Sequence, residues 1–321
     1  FQFLFAQGEF GLLCPISMTD TMAKVLRLYA SPEIRDRWLP LLTSQDPATW
    51  ASGAMFMTER QAGSDVGAIE TVAVRQPDGT WHLSGEKWFC SNAGADAALV
   101  LARATGVPGT RGLGLFLLPR LLDDGTANRY RIVRLKDKLG TRGMASGEIV
   151  LDGATAHLVG DATRGFAQMV TMVNLSRLSN GVRSAGMMRR ALVEATIAAQ
   201  GRSAFGRSAI AFPAVRRSLM KLRLPAEEAL SFALFCAAAM DRAEAGDEAA
   251  ARVLRLATPL LKFRACRDAR AAVGDAMEVR GGNGYIEDFV EPRLLRDAHL
   301  GSIWEGTSSV VAEDAIMRGV G

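Results

Sequence analysis

Along the first 46 residues apolar positions recur at helical spacing, most clearly over 19–29. Ser31-Pro32-Glu33 predicts a second helix, with proline in the first turn, where its missing N–H leaves no bond unmade. From about residue 50 the pattern changes. Apolar segments at 71–74, 81–83, 88–90, 98–101 and 114–118 are separated by Pro77-Asp78-Gly79, Ser84-Gly85, Val107-Pro108-Gly109 and Asp123-Asp124-Gly125. Turn residues at such short intervals predict an antiparallel β-domain that closes near 148–151. After Gly165 the helical period returns over 166–200, 213–244, 247–280 and 306–318. Pro225 predicts a kink or break near Leu224, because proline removes a helical hydrogen bond and clashes with the preceding turn. The apolar run 229–240 reads as a buried helix, too short to span a bilayer.

A chain of 321 residues is long for one core, so two or three domains are expected. With 49% apolar and 22% charged residues it reads as an ordinary folded chain. The net charge of +4 is carried mostly by arginines dispersed along the sequence, with no basic run like those of nucleic-acid-binding tails. Ala/Arg-rich composition accounts for them, although a guanidinium fork also suits phosphate and carboxylate. Cys14, Cys90, Cys236 and Cys266 form no CxxC pair and read as reduced core residues of a cytoplasmic protein. His82, His157 and His299 show neither metal spacing nor HExxH, which argues against a zinc site or a histidine-based triad.

Ile303-Trp304-Glu305-Gly306-Thr307 places a carboxylate between an aromatic residue and a glycine. Such a carboxylate can abstract a proton if Trp304 excludes water, and Gly306 allows close backbone approach. The plainer reading is a helix N-terminus capped by Thr307 or Ser308. The stretch 57–66, MTERQAGSDV, offers hydroxyls and glycine to an oxygen-rich planar ligand, or is an ordinary turn. Lys87-Trp88-Phe89-Cys90-Ser91-Asn92 offers aromatic surface beside a hydroxyl, or a core strand. Arg202-Ser203-Ala204-Phe205-Gly206 can clamp a phosphate, or supply a charge at a helix end.

In this order, MTExxxGSDV, GxKWFxSN, KLGxR (Lys138-Leu139-Gly140-Thr141-Arg142), RxxFG, GGNGY (Gly281-Gly282-Asn283-Gly284-Tyr285) and WEGT resemble the acyl-CoA dehydrogenase flavoprotein family over nearly the whole chain. Cys14-Pro15-Ile16-Ser17-Met18-Thr19, 135–140, Met187-Met188-Arg189-Arg190-Ala191 and 302–306 are similar to its AidB-like branch. The resemblance implies an α+β multidomain fold: partial N-terminal helices (1–48), a middle β-barrel domain (49–157) and a C-terminal four-helix bundle (158–321). It implies FAD between the β-domain and the bundle, completed by another subunit of a homotetramer.

Residue by residue, it implies flavin contacts from Met57, Thr58, Ser64, Phe89 and Ser91. It implies further cofactor contacts from Arg202, Phe205, Glu278, Gly281, Gly282, Trp304, Thr307 and Ser309; Glu278 and Ser309 stand where the family usually has glutamine. Glu305 matches the catalytic base and Arg177 the basic residue near the acyl-CoA channel. No metal is implied. The implied reaction is α,β-dehydrogenation of an acyl-CoA thioester, with an electron-transfer flavoprotein as acceptor. The alternatives are an AidB-like flavin-bearing, DNA-associated alkylation-stress protein with residual dehydrogenase activity, or an acyl-CoA oxidase. Measured against the family, the chain is expected to lack much of the N-terminal helical domain and the AidB-branch DNA-binding extension. No membrane partner is expected.

Overall fold

The structure, a computed structural model, describes residues 1–320. Three helices open the chain: α1 (Gln2–Phe5), α2 (Leu13–Tyr29) and α3 (Pro32–Leu42). Ser31 caps α3 by accepting from Ile34 N, with Pro32 at its first position as the sequence predicts. Seven strands follow: β1 (Gly53–Phe56), β2 (Val72–Arg75), β3 (Trp81–Ser91), β4 (Ala97–Arg103), β5 (Leu113–Pro119), β6 (Tyr130–Leu135) and β7 (Ser146–Leu158). The rest is α4 (Gly165–Gly201), a small hairpin of β8 (Ser203–Ala204) and β9 (Arg207–Ser208), α5 (Pro213–Glu244), α6 (Glu248–Arg280), α7 (Glu291–Gly301) and α8 (Ser308–Val320). The fold is mixed α+β. No helix of the described residues is long and apolar enough to cross a membrane.

The chain divides into two units: a β unit of residues 14–138 and 142–176, and a helical unit of residues 1–13, 139–141 and 177–321. In the β unit, β3 pairs with β2 and β7, β4 with β2 and β5, and β5 with β7, so these strands close a circuit. Closure leaves β6 as a flanking strand on β7. Phe56, Leu83, Cys90, Val100, Phe116 and Ile149 fill the interior. Most pairings are antiparallel, but β1–β4 and β2–β4 are parallel, which corrects the all-antiparallel expectation. Neither pair is joined by a tight hairpin, so no turn imposes the antiparallel direction.

Two further corrections concern local signals. The apolar segments 81–83 and 88–90 belong to one strand, β3, and Ser84-Gly85 marks a register shift against β7 instead of a chain reversal. Strand β6 carries no predicted signal, because its YRIVRL sequence is largely exposed and shows no clean alternation.

The helical unit has an alanine-rich core, with Ala185, Ala195, Ala226, Ala233, Ala265 and Ala272 buried around Leu222, Leu261 and Leu294. Such small contacts let helices approach closely. Pro225 does not break its helix: α5 runs through it without interruption. Burial of Leu219, Leu222, Ala226 and Ala229 on either side outweighs a cost of about 3 kcal/mol for an interior proline. The run 229–240 is buried on one face only. Ala229, Ala233, Cys236 and Ala239 point inward, whereas Leu234 and Phe235 are exposed.

Candidate cofactor and active site

In the β unit, β1 ends at Phe56 and the chain leaves the barrel through Met57 and Thr58 before returning at Thr71. An excursion of this length leaves backbone groups without ladder partners, and buried ones must be satisfied. Glu59 does this. Its carboxylate accepts from Glu70 N at 2.7 Å, Thr71 N at 3.1 Å, Thr71 Oγ1 at 2.5 Å and Gln61 Nε2 at 3.1 Å. Lys87, from the middle of β3, donates to Glu59 Oε1 at 2.6 Å, Leu101 O at 2.7 Å and Met57 O at 3.4 Å. Both ends of this ion pair are buried. Burial alone would raise the Glu59 pKa, but the Lys87 charge and the hydrogen bonds from Lys87, Thr71 and Glu70 hold it below its ordinary value.

This anchor aligns the implied flavin residues. Trp88 N donates to Thr58 O at 2.9 Å, and Met55 stands opposite Ser91, so Met57 and Thr58 run beside Phe89 and Ser91. Phe89 is 54% exposed although its neighbours Lys87 and Cys90 on the same strand are buried. The side-chain hydroxyls of Thr58, Ser64 and Ser91 make no hydrogen bond among the described residues. Ser64 sits at the exposed outer part of the excursion, apart from the other four. Lys136, paired with Glu148 at 2.6 Å, lies 3.1 Å over the Trp88 ring. The motifs pointed to aromatics and hydroxyls; they missed the Glu59–Lys87 pair, although both charges stand inside the motifs themselves.

In the helical unit, Glu305 has φ +56° and Gly306 φ +94°. A non-glycine residue in this left-handed region is strained and needs surrounding structure to hold it. Two cations provide that. Arg177 on α4 donates from Nε to Glu305 O at 2.9 Å and from Nη1 to Asp314 Oδ2 at 2.6 Å. Lys262 on α6 donates from Nζ to Gly306 O. Burial pushes Lys262 below the ordinary ammonium range, opposed by the nearby Cys266 and Glu305. Trp304 stacks on Phe10 with ring centroids 5.9 Å apart, and the Arg183 guanidinium lies 5.0 Å from its ring. Thr307 precedes α8, and its backbone carbonyl accepts from Val311 N at 2.9 Å, so the segment is a helix start. Ser309 lies in the first turn of α8.

The remaining implied residues form a second group. Arg202 Nη1 donates to Arg280 O at 3.2 Å, beside Gly281, whose φ of +78° ends α6. Gly281 N returns to Glu278 O, and a side chain at Gly282 would meet open space. Phe205 and Gly206 form the two-residue turn of the β8–β9 hairpin, with φ +49° and +77°. Turns with two positive φ values favour Asn-Gly, and phenylalanine at the first position is costly. Phe205 is nevertheless 96% exposed, with only an edge contact to Phe212.

The chain belongs to the acyl-CoA dehydrogenase family: residues 54–154 match the model of its middle domain and residues 163–320 that of its C-terminal domain. This is a family of FAD-binding flavoproteins. Among its relatives the chain is 38% identical to Acyl-CoA dehydrogenase family member 11 of Caenorhabditis elegans, over 98% of this chain and 53% of that protein. It is 39% identical to Putative acyl-CoA dehydrogenase AidB of Escherichia coli, over 98% of this chain and 58% of that one. The chain therefore spans little more than half of either relative. The crystal structure of Caenorhabditis elegans ACDH-11 in complex with C11-CoA superposes with a TM-score of 0.92 at 37% identity, covering 96% of this chain and 54% of that one. Butyryl-CoA dehydrogenase from Megasphaera elsdenii shares the fold, with a TM-score of 0.88 at 24% identity.

The residues present suit a flavin. An exposed Phe89 near uncommitted hydroxyls suits a planar ring with carbonyl oxygens, and an arginine beside Gly281, with Gly282 next to it facing open space, suits a phosphate.

Proposed function

We propose that this chain carries the FAD-dependent active site of an acyl-CoA dehydrogenase, with Glu305 as the base that removes the α-proton of an acyl thioester. The observation that carries the reading is Glu305 itself. It is a carboxylate-bearing residue in a left-handed turn whose two carbonyls are each held by a buried cation, in a chain of this family. Turns strained in this way mark functional positions.

Met57, Thr58, Ser64, Phe89 and Ser91 would hold the flavin ring. Arg202, Phe205, Glu278, Gly281, Gly282, Thr307 and Ser309 would hold the rest of the cofactor. When bound, FAD supplies the acceptor for the hydride that leaves the β-carbon. Glu305 takes the α-proton onto a carboxylate oxygen, the C–H electrons becoming part of the new double bond. The α-carbon of a thioester is a weak acid, so its carbonyl needs polarising donors in a dry pocket. Trp304, stacked on Phe10 beside Glu305, contributes an apolar wall. Arg177 positions Glu305 through its backbone, and that contact rather than a direct hold on acyl-CoA is the role we assign it. An electron-transfer flavoprotein is the proposed acceptor and a homotetramer the proposed assembly, both on the family resemblance.

The test is an anaerobic screen of acyl-CoAs that follows bleaching of the flavin absorbance, on wild type and Glu305→Gln. The variant is expected to keep FAD and lose flavin reduction by roughly a hundredfold to ten-thousandfold, as general-base removal does. A variant that reduces its flavin at the wild-type rate moves the base elsewhere. A colourless protein that cannot be reconstituted with FAD ends the reading.

A further inference from the structure

Lys262 is fully buried in the middle of α6, yet no carboxylate pairs with it among the described residues. Its ammonium donates instead to a backbone carbonyl, Gly306 O. A buried ammonium is expensive, and an apolar side chain of similar volume commonly serves stability as well or better. The position of the bond explains the retention. Glu305 O is taken by Arg177 from α4 and the very next carbonyl, Gly306 O, by Lys262 from α6. Two helices thus grip successive peptide units of a turn whose first residue is held at φ +56°. Arg177 alone leaves the second peptide free to rotate; Lys262 closes that freedom.

We infer that Lys262 is a positioning residue for Glu305, and that its charge also favours the ionised form of that carboxylate. The inference rests on the proposed role of Glu305 as base. The charged and titratable groups facing this turn are Lys262 and Cys266 on α6, Arg177 and Arg183 on α4 and Asp314 on α8. A cation near a carboxylate lowers its pKa, so removing Lys262 raises the pKa of Glu305 and moves the acid limb of kcat/KM to higher pH. A purely structural lysine would lower stability or rate and leave that limb where it was.

The experiment is Lys262→Met in the full chain, with two readouts. The first, taken with and without FAD, is hydrogen exchange of the amides over 303–308. The second is the pH profile of acyl-CoA-dependent flavin reduction. Exchange is expected to accelerate, kcat to fall by about a hundredfold with KM much less affected, and the acid limb to shift upward. Lys262→Gln, which keeps a donor but no charge, carries the same readouts if the methionine variant does not fold; it should shift the limb and protect the turn better. A folded Lys262→Met protein with wild-type exchange and an unmoved acid limb overturns the inference. If no acyl-CoA reduces the wild-type flavin, the functional reading fails, whereas the exchange measurement still decides whether Lys262 holds the turn.

Discussion

The excursion at 57–71 in the β unit and the turn at 305–306 in the helical unit are fixed by opposite charges. In the first, backbone N–H groups of Glu70 and Thr71 turn inward, and a carboxylate gathers them. In the second, the carbonyls of Glu305 and Gly306 turn inward, and cations gather those. The sign of the buried charge follows from which half of the peptide the chain leaves over. The consequences differ as well. Glu59 is neutralised directly by Lys87, so its charge stays inside the pair. Arg177 and Lys262 lie against a residue that is itself charged, so what holds the backbone also acts on the carboxylate it positions.

Glu59→Ala should break this comparison most strongly. It leaves Lys87 buried and unpaired and should destabilise the β unit by about 3–5 kcal/mol, read by urea unfolding. The double change Glu59→Leu with Lys87→Met should recover most of that loss, because an apolar pair replaces an ionic one. A single variant that costs under about 1 kcal/mol would mean that the excursion is held by something other than the pair.

Gly306→Ala tests the other region. Its Cβ would lie 3.2 Å from Val311 Cγ2 and 3.3 Å from Arg177 Nη2, at φ +94°. A cost of about 1–3 kcal/mol is expected, seen as a lower melting temperature. An alanine variant as stable as wild type would show that the turn relaxes readily.

The smallest effect should come from pH. Glu59 is held below its ordinary 4.5, so the unfolded chain takes up that proton first as pH falls. The stability it contributes is complete above about pH 4.5 and is lost as pH drops through the depressed folded value. Acid titration of the melting temperature should therefore be shallower in the double variant than in wild type. Identical slopes would assign the acid sensitivity to other carboxylates, of which Glu148, held down to about 2 by hydrogen bonds from Arg134 and Lys136, is the first candidate.

The long helices α4, α5 and α6, and the final α8, were legible within a few residues because their apolar period is sustained, whereas the short α7 was not anticipated; Pro225 misled because tertiary burial decides whether a proline is tolerated. The barrel was legible as a succession of strands. Its parallel pairings and the continuity of β3 were not, since both depend on partners far away in sequence. The motif residues are informative singly, yet the bonds that organise them join Glu59 to Lys87, Arg177 to Glu305 and Lys262 to Gly306. These contacts cross elements, and no local pattern announces them. Lys262 in particular stands in an ordinary helical stretch and had no signal beyond being a charge among apolar neighbours.

All four cysteines are buried and unbridged: Cys14 and Cys90 in the β unit, Cys236 and Cys266 in the helical unit. Burial pushes Cys90 up to about 12 and Cys236 to about 11, so neither is a thiolate at neutral pH while folded. Each unit thus keeps its most oxidisable atoms out of reach until it opens, and opening restores their ordinary acidity. In air the first excursion to the unfolded state can then become the last, because a cross-linked or oxidised thiol no longer fits the core it left. For this chain, lifetime would be governed by the rate of unfolding more than by the equilibrium between the two states.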